Sequence, residues 1–186
     1  EEVINDGKNN YHLKNNPNSV VTVGPSESMS KSKKNTVDPE KIIQIYGADA
    51  VRLFILSDSP PEKDIQWSEN GMSSAYKFIQ KFWSLNNQVL EILKEEKINP
   101  NDDIEIFTNQ SINRINFALE KFRYNVIIAV FHEIYSFFKK ILDENKNYEN
   151  LENNFKKILT VMSPVVPHLT SECLDKLKNK NPLKWP

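Results

Sequence analysis

The chain has 186 residues with 24 basic and 25 acidic side chains, 26% charged and 39% hydrophobic, the balance of a soluble folded protein rather than a disordered or membrane-embedded one. No apolar run approaches the roughly 18 residues a bilayer-spanning helix needs. The single cysteine, Cys173, excludes a disulfide framework and a Cys-rich zinc module, and four glycines are too few for a phosphate loop of the Walker or Rossmann type. A net charge of −1 argues against general nucleic-acid coating while leaving room for a local basic site.

Up to Ser19 the sequence is polar, with Asp6-Gly7 and Asn16-Pro17 as turn signals. Ser19 to Val23 is the one convincing β run, closed by Gly24-Pro25. Ser26 to Asn35 has no apolar period and reads as an exposed loop. From Asp38 the pattern turns helical. Asp38 is a good N-cap, Pro39 suits the first helical position, Ile42, Ile43, Ile45 and Tyr46 form the apolar side, and Gly47 is a natural stop. Asp49 opens a second helix through Val51, Leu53, Phe54, Ile55 and Leu56, ended by Pro60-Pro61. Ile65-Gln66-Trp67 reads as a short extended piece, and Ser68 caps the next helix.

Helix then follows helix. Met72, Tyr76, Ile79, Trp83, Leu90 and Leu93 recur at helical spacing over about 25 residues, broken at Asn99-Pro100-Asn101-Asp102. Ile112, Ile115, Leu119 and Phe122 line the next helix, and Ile127, Val130, Ile134, Phe138 and Ile141 another. Phe155, Ile158, Leu159 and Met162 stop at Ser163-Pro164, and a last helix after Pro167 carries Leu169, Cys173, Leu174 and Leu177. Long helices with short connections predict a mainly α fold, an antiparallel bundle preceded by a short α/β segment.

The chemistry concentrates in Met29-Ser30-Lys31-Ser32. A loop of small residues presents one ammonium between two hydroxyls, a set that can close over a polyphosphate, Lys31 as a compact charge and Ser30 and Ser32 as donors. Such a lysine matters most when charge builds on a departing pyrophosphate. The bland reading is a solvated Ser/Lys linker.

The surrounding sequence weighs against the linker. Ser28 to Asn35 (SMSKSKKN), Thr36 to Pro39, and Tyr46-Gly47-Ala48-Asp49-Ala50-Val51-Arg52-Leu53-Phe54 together resemble the KMSKS signature and downstream helices of class I aminoacyl-tRNA synthetases. Ser59-Pro60-Pro61-Glu62-Lys63-Asp64-Ile65-Gln66-Trp67-Ser68, then Gly71, is similar to leucyl-tRNA synthetases in particular. Phe122-Arg123-Tyr124-Asn125 and Ser163-Pro164-Val165-Val166-Pro167-His168 resemble that family's helical domain. The resemblance runs from about Thr22 to the end and is most specific in its first forty or so residues.

The resemblance implies three regions: 1–37 as the end of a catalytic domain with its KMSKS-type loop, 38–67 as a stem-contact region, and 68–186 as an anticodon-binding-type bundle. It implies ATP-dependent activation of leucine to leucyl-adenylate and transfer to tRNA(Leu), with ATP, normally accompanied by Mg2+, as substrate. Lys31 would stabilise the ATP phosphates, Met29 and Ser30 would lie near the adenine end, and Ser32 completes the ATP-binding set. The expected partner is tRNA(Leu), in a monomeric, cytoplasmic protein away from membranes.

Two departures stand out. Ser28 occupies the position where the family usually has Lys, which removes a cation from the phosphate end. The HIGH signature is absent, since His12, His132 and His168 are far apart with unrelated neighbours. The expectation is a carboxyl-side portion of an enzyme, inactive alone.

For RNA contact the candidates are Arg114, Lys121, Arg123, Lys139 and Lys140, with Arg123 preferred. Basic and acidic residues from Ser68 onward number 16 and 15, so no overall field points to RNA, and Lys139-Lys140 equally suits a helix dipole. Trp67 and Trp83 read as core residues and the three histidines as packed or solvated. Cys173 reads as a small core residue, and Asp49 with Arg52 as an ion pair within one helix. No group of residues has zinc-ligand spacing, and no metal site is expected. A non-catalytic helical RNA-binding module, or a structural bundle whose Ser/Lys loop is a linker, are the rival readings.

Overall fold

A computed structural model of the chain describes residues 3–5, 11–58, 60–96, 98–178 and 185–186. Its contacts divide it into two compact units, 1–37 and 38–186. The Asp6-Gly7 turn and Ser59 lie outside the described residues.

The first unit holds a three-stranded antiparallel sheet in the order β1 (Val3–Asn5), β2 (Tyr11–Leu13), β3 (Asn16–Val21). Ile4 pairs with His12, and His12 with Val20. The expected β run is therefore real but begins three residues early and ends at Val21. The reversal falls at Lys14-Asn15, not at Asn16-Pro17. The register shifts between His12 and Leu13, where Leu13 pairs with Asn16. Pro17 is tolerated because β3 is an edge strand and an irregular one. Val3, Ile4 and Val20 of the sheet are exposed and Val21 is half-buried. Among the described residues of 1–37 the regular elements are these strands, and residues 22–37 are loop and turn.

The second unit is all helix apart from one short parallel bridge: α1 (Pro39–Tyr46), α2 (Ala48–Asp58), α3 (Glu69–Ile92), α4 (Asp103–Glu120), α5 (Tyr124–Asp143), α6 (Leu151–Met162) and α7 (Pro167–Lys176). The bridge joins β4 (Ile98–Asn99) to β5 (Asn147–Tyr148) and was not foreseen. Caps act locally: the Asp38 side chain accepts from the Glu40 N–H, and Ser68 from the Gly71 N–H. Gly47 ends α1 with φ +80°, a backbone only glycine adopts freely. At α4 the cap is Asn101, which accepts from the Asp103 N–H, rather than Asp102.

Burial follows helical spacing in α5, α6 and α7, but α1 buries no residue, and its Ile43 and Ile45 are exposed. In α5 the five expected residues are all buried, as are the expected faces of α6 and α7. In α3, however, the deepest stripe is Ala75, Phe78, Phe82, Leu85, Val89 and Ile92, while Tyr76, Ile79, Trp83 and Leu90 are only half-buried. The helix is enclosed by α2, α5 and α7, so its apolar arc is wider than one stripe. Phe82 lies between Phe78 and Phe155, with ring centroids 6.0 Å from each. Trp67 packs edge-on to Phe54 at 5.4 Å and Trp83 sits 4.8 Å beneath the Lys176 ammonium. Gly71 has a steric reason: a Cβ there would stand 2.6 Å from the Phe54 ring. Buried Cys173 packs as expected, and desolvation pushes its thiol up to about 12.

Asp49 and Arg52 do not pair with each other. The buried Asp49 carboxylate accepts from the Leu169 N–H at 2.7 Å and from the His168 N–H at 3.4 Å, with the His168 Nδ1 2.8 Å away. Arg52 donates to the carbonyls of Val165 at 3.0 Å and Pro164 at 2.6 Å. Val166, the residue at the cap position of α7, offers no side-chain bond, so α2 caps α7 from outside, with the carboxylate at the positive end of the helix and the guanidinium on the carbonyls just beyond α6. Asp49→Ala would orphan the Leu169 amide in a buried setting, and a loss of about 2 kcal/mol is expected in chemical denaturation. Asp49→Asn, which keeps an acceptor, should lose less.

Candidate functional site

Residues Ser28 to Asn35 form a turn braced by Asn35, a residue that reading the sequence had not singled out. Its Oδ1 accepts from the Ser30 N–H at 2.8 Å, and its Nδ2 donates to the Ser28 carbonyl at 3.4 Å. Inside this clasp the Lys34 N–H donates to the Lys31 carbonyl at 3.2 Å, and the Lys33 N–H to Ser30 Oγ at 3.3 Å. Lys34 takes a left-handed φ of 54°. Asn and Asp commonly brace turns through short side-chain bonds to nearby backbone, so the signal was present at position 35, but polar loops give it no periodicity to stand out against.

The clasp projects the predicted residues. Met29, Lys31 and Ser32 are exposed and Ser30 is half-buried. The Ser30 and Ser32 hydroxyls lie 3.2 Å apart, so the two donors are grouped. Among the described residues the Lys31 ammonium has no hydrogen bond or ion pair, whereas Lys33 is held by Glu27 at 2.6 Å. Lys33 thus has a carboxylate partner, in a half-exposed surface pair. Lys34, like Lys31, has no such partner. Free cations on an exposed, internally braced turn suit a polyanion that arrives from outside.

The basic candidates of the helical unit separate in the same way. Arg114 grips Glu133 with both guanidinium nitrogens, and those bonds hold the Glu133 carboxyl below its usual range. Lys139 pairs with Asp143 at 2.6 Å and reaches Gln88 at 3.2 Å. Lys121, Arg123 and Lys140 are exposed and have no hydrogen bond or ion pair among the described residues. Lys121 and Arg123 flank the α4–α5 turn, while Lys140 sits in the last turn of α5.

Two of the histidines take structural places. His132 packs against Phe78 with ring centroids 4.6 Å apart and planes tilted by 60°, where desolvation, aided by the nearby Lys81 charge, lowers its proton affinity. His168 is part of the α7 cap. A mostly apolar hollow of about 490 Å³ is lined by Tyr46, Ile79, Trp83, His168 and Leu169, with no nucleophile–base pair in its wall. Among the described residues no group of three His, Cys, Asp or Glu could hold a metal ion, and no helix is long and apolar enough to cross a membrane.

Residues 16–68 match the family of class I tRNA synthetases for I, L, M and V, and residues 101–186 match the anticodon-binding domain of tRNA ligases. The chain is 35% identical over 181 residues to a leucine–tRNA ligase of Rickettsia bellii, covering 97% of this chain and 21% of that protein. It is 37% identical over 194 residues to one of Bartonella quintana, covering 97% and 22%. In three dimensions it is similar to the LeuRS of Agrobacterium radiobacter K84 agnB2, solved as a ternary complex with tRNA and LeuAMS. The TM-score is 0.72 at 23% identity, over 85% of this chain and 22% of that one. The chain thus spans about a fifth of the length of the relatives it matches.

If Asn35 organises the loop, Asn35→Ala should speed cleavage by a lysine-specific protease after Lys31, Lys33 and Lys34 several-fold. The melting of the helical unit should stay unchanged. Equal cleavage of parent and variant would remove Asn35 from that role.

Proposed function

Since this chain belongs to the class I aminoacyl-tRNA synthetases, on the leucyl-tRNA synthetase branch, we propose that it supplies two parts of a leucine–tRNA ligase. One is the mobile loop that meets the triphosphate of ATP, and the other is a set of helices that hold tRNA(Leu). In this reading 1–37 closes the catalytic domain, 38–67 contacts the tRNA stem, and 68–186 is the anticodon-binding-type bundle. The activity belongs to the complete enzyme, a monomer of the cytoplasm, and ATP enters with Mg2+.

The observation that carries the reading is the unpartnered Lys31 ammonium on a turn already ordered by Asn35. In the activation step a carboxylate oxygen of leucine attacks the α-phosphorus of ATP, and the bond to pyrophosphate breaks. Negative charge gathers on the departing group. Lys31 meets that charge without first giving up an internal ion pair, so the loop loses little on engaging it. Ser30 and Ser32 turn their grouped hydroxyls from each other to phosphate oxygens, and Met29 lies toward the adenine. In the second step a hydroxyl of the terminal ribose takes the leucyl group and AMP leaves. With Ser28 in the usual lysine's place and Lys33 tied to Glu27, Lys34 is the second cation this loop can offer.

Lys31→Ala in the complete enzyme is expected to slow leucine-dependent ATP–pyrophosphate exchange by roughly tenfold or more, about 1.4 kcal/mol of transition-state stabilisation. An unchanged exchange rate would refute the role given to Lys31.

A further inference from the structure

The sequence pattern placed Phe122 on the buried face of a helix with Leu119. The structure puts it elsewhere: beyond the end of α4, in the turn before α5, with 61% of its surface exposed. The turn is closed beneath it by the Phe122 N–H donating to the Leu119 carbonyl at 3.0 Å and the Arg123 N–H donating to Ala118 at 2.9 Å. To sit there Phe122 adopts a φ of +53°. This left-handed backbone suits glycine or asparagine and is uncommon for a bulky side chain. Among the aromatic rings of the described residues its ring meets only Tyr124, in a T-shaped pair at 6.3 Å and 74°.

Folding alone gives no reason for a phenylalanine at this position. It is strained in backbone and exposes most of an apolar ring. Its two neighbours are exposed cations, Lys121 and Arg123, neither with a hydrogen bond or ion pair among the described residues. A largely exposed aromatic ring with an exposed cation on either side of it in the chain suits a nucleotide whose base is unstacked: the base stacks on the ring, and the cations meet the adjoining phosphates. A duplex offers no such base, and an acidic peptide has no face to stack.

We propose that Phe122 is a stacking platform for an unpaired nucleotide of the bound tRNA, with Lys121 and Arg123 holding the adjoining phosphates. The proposal rests on the reading of the helical unit as tRNA-binding, and adds to it a residue that acts by stacking rather than by charge. The site selects loop or junction nucleotides and is tolerant of base identity, because every base presents a π-face.

The test is fluorescence anisotropy of the 186-residue chain with a labelled tRNA(Leu) transcript, and with a fully paired RNA hairpin stem as control. Phe122→Gly and Phe122→Ala should each weaken tRNA binding roughly tenfold and leave the slope of log K against log salt unchanged. Phe122→Trp should bind as the parent does. Arg123→Ala should reduce the salt slope by about one. Phe122→Gly should also melt no lower than the parent, because glycine takes the left-handed backbone without strain. Equal affinity of the parent and both truncated variants would overturn the stacking role while leaving tRNA binding intact. Weaker binding accompanied by a matching drop in melting temperature for both variants would overturn it in favour of a structural role. Equal affinity of the parent for tRNA and paired stem would overturn the unpaired-nucleotide specificity. A parent that binds no tRNA would overturn the reading of the helical unit and the stacking site with it.

Discussion

The helical unit turns on a contact between residues some 115 positions apart. One turn of α2 sends a carboxylate and a guanidinium to the same place, the link between α6 and α7. Asp49 takes the amides at the start of α7, and Arg52 takes the carbonyls of Pro164 and Val165. A helix start leaves amides unsatisfied and a tight link leaves carbonyls unsatisfied. Here the Pro164, Val165 and Pro167 sequence leaves no local side chain to do the capping, so both needs are met from α2. The hydrophobic core alone would permit α2 to slide along its neighbours, because burial is not directional. The two polar contacts fix its position. The region 38–67 is thereby part of the bundle and not a separate arm.

What could be read from the sequence, and what could not, follows the same division. Local signals were reliable where one residue answers one need. Asp38 and Ser68 cap their helices, Gly47 ends α1, and the α5 face from Ile127 to Ile141 is buried. Long-range partners were not legible. A three-residue spacing on a helix allows Asp49 and Arg52 to pair with each other, and nothing nearby in sequence shows that amides and carbonyls over a hundred residues away compete for them more strongly. The α3 stripe was rotated because a helix packed on several sides has no single apolar face. Phe122 was assigned to a helix because it continues the spacing of Leu119, although its backbone leaves the helix one residue earlier.

The candidate site divides likewise. Residue types in the loop from Ser28 to Asn35 carried the resemblance, and the positions of Met29, Ser30, Lys31 and Ser32 could be taken directly from it. Which cations are free could not. Lys33 and Lys34 are adjacent and identical in kind, yet Glu27 occupies one and leaves the other. Arg114 and Lys139 are as basic as Lys121, Arg123 and Lys140, but a carboxylate four residues on or across a helix pair occupies each of them. Charge counts treat these residues alike. Only the fold shows which of them already hold a carboxylate and which do not.

The most direct measurement of the account is amide hydrogen exchange at Leu169. A first-turn amide ordinarily has no partner within its helix and exchanges rapidly. If α2 caps α7 from outside, Leu169 should be protected to the degree of interior amides in α5, and Asp49→Ala should abolish that protection while α5 amides keep theirs relative to global unfolding. Exchange of Leu169 in the parent protein at the rate of an open helix end would contradict the cap and the single helical unit built on it.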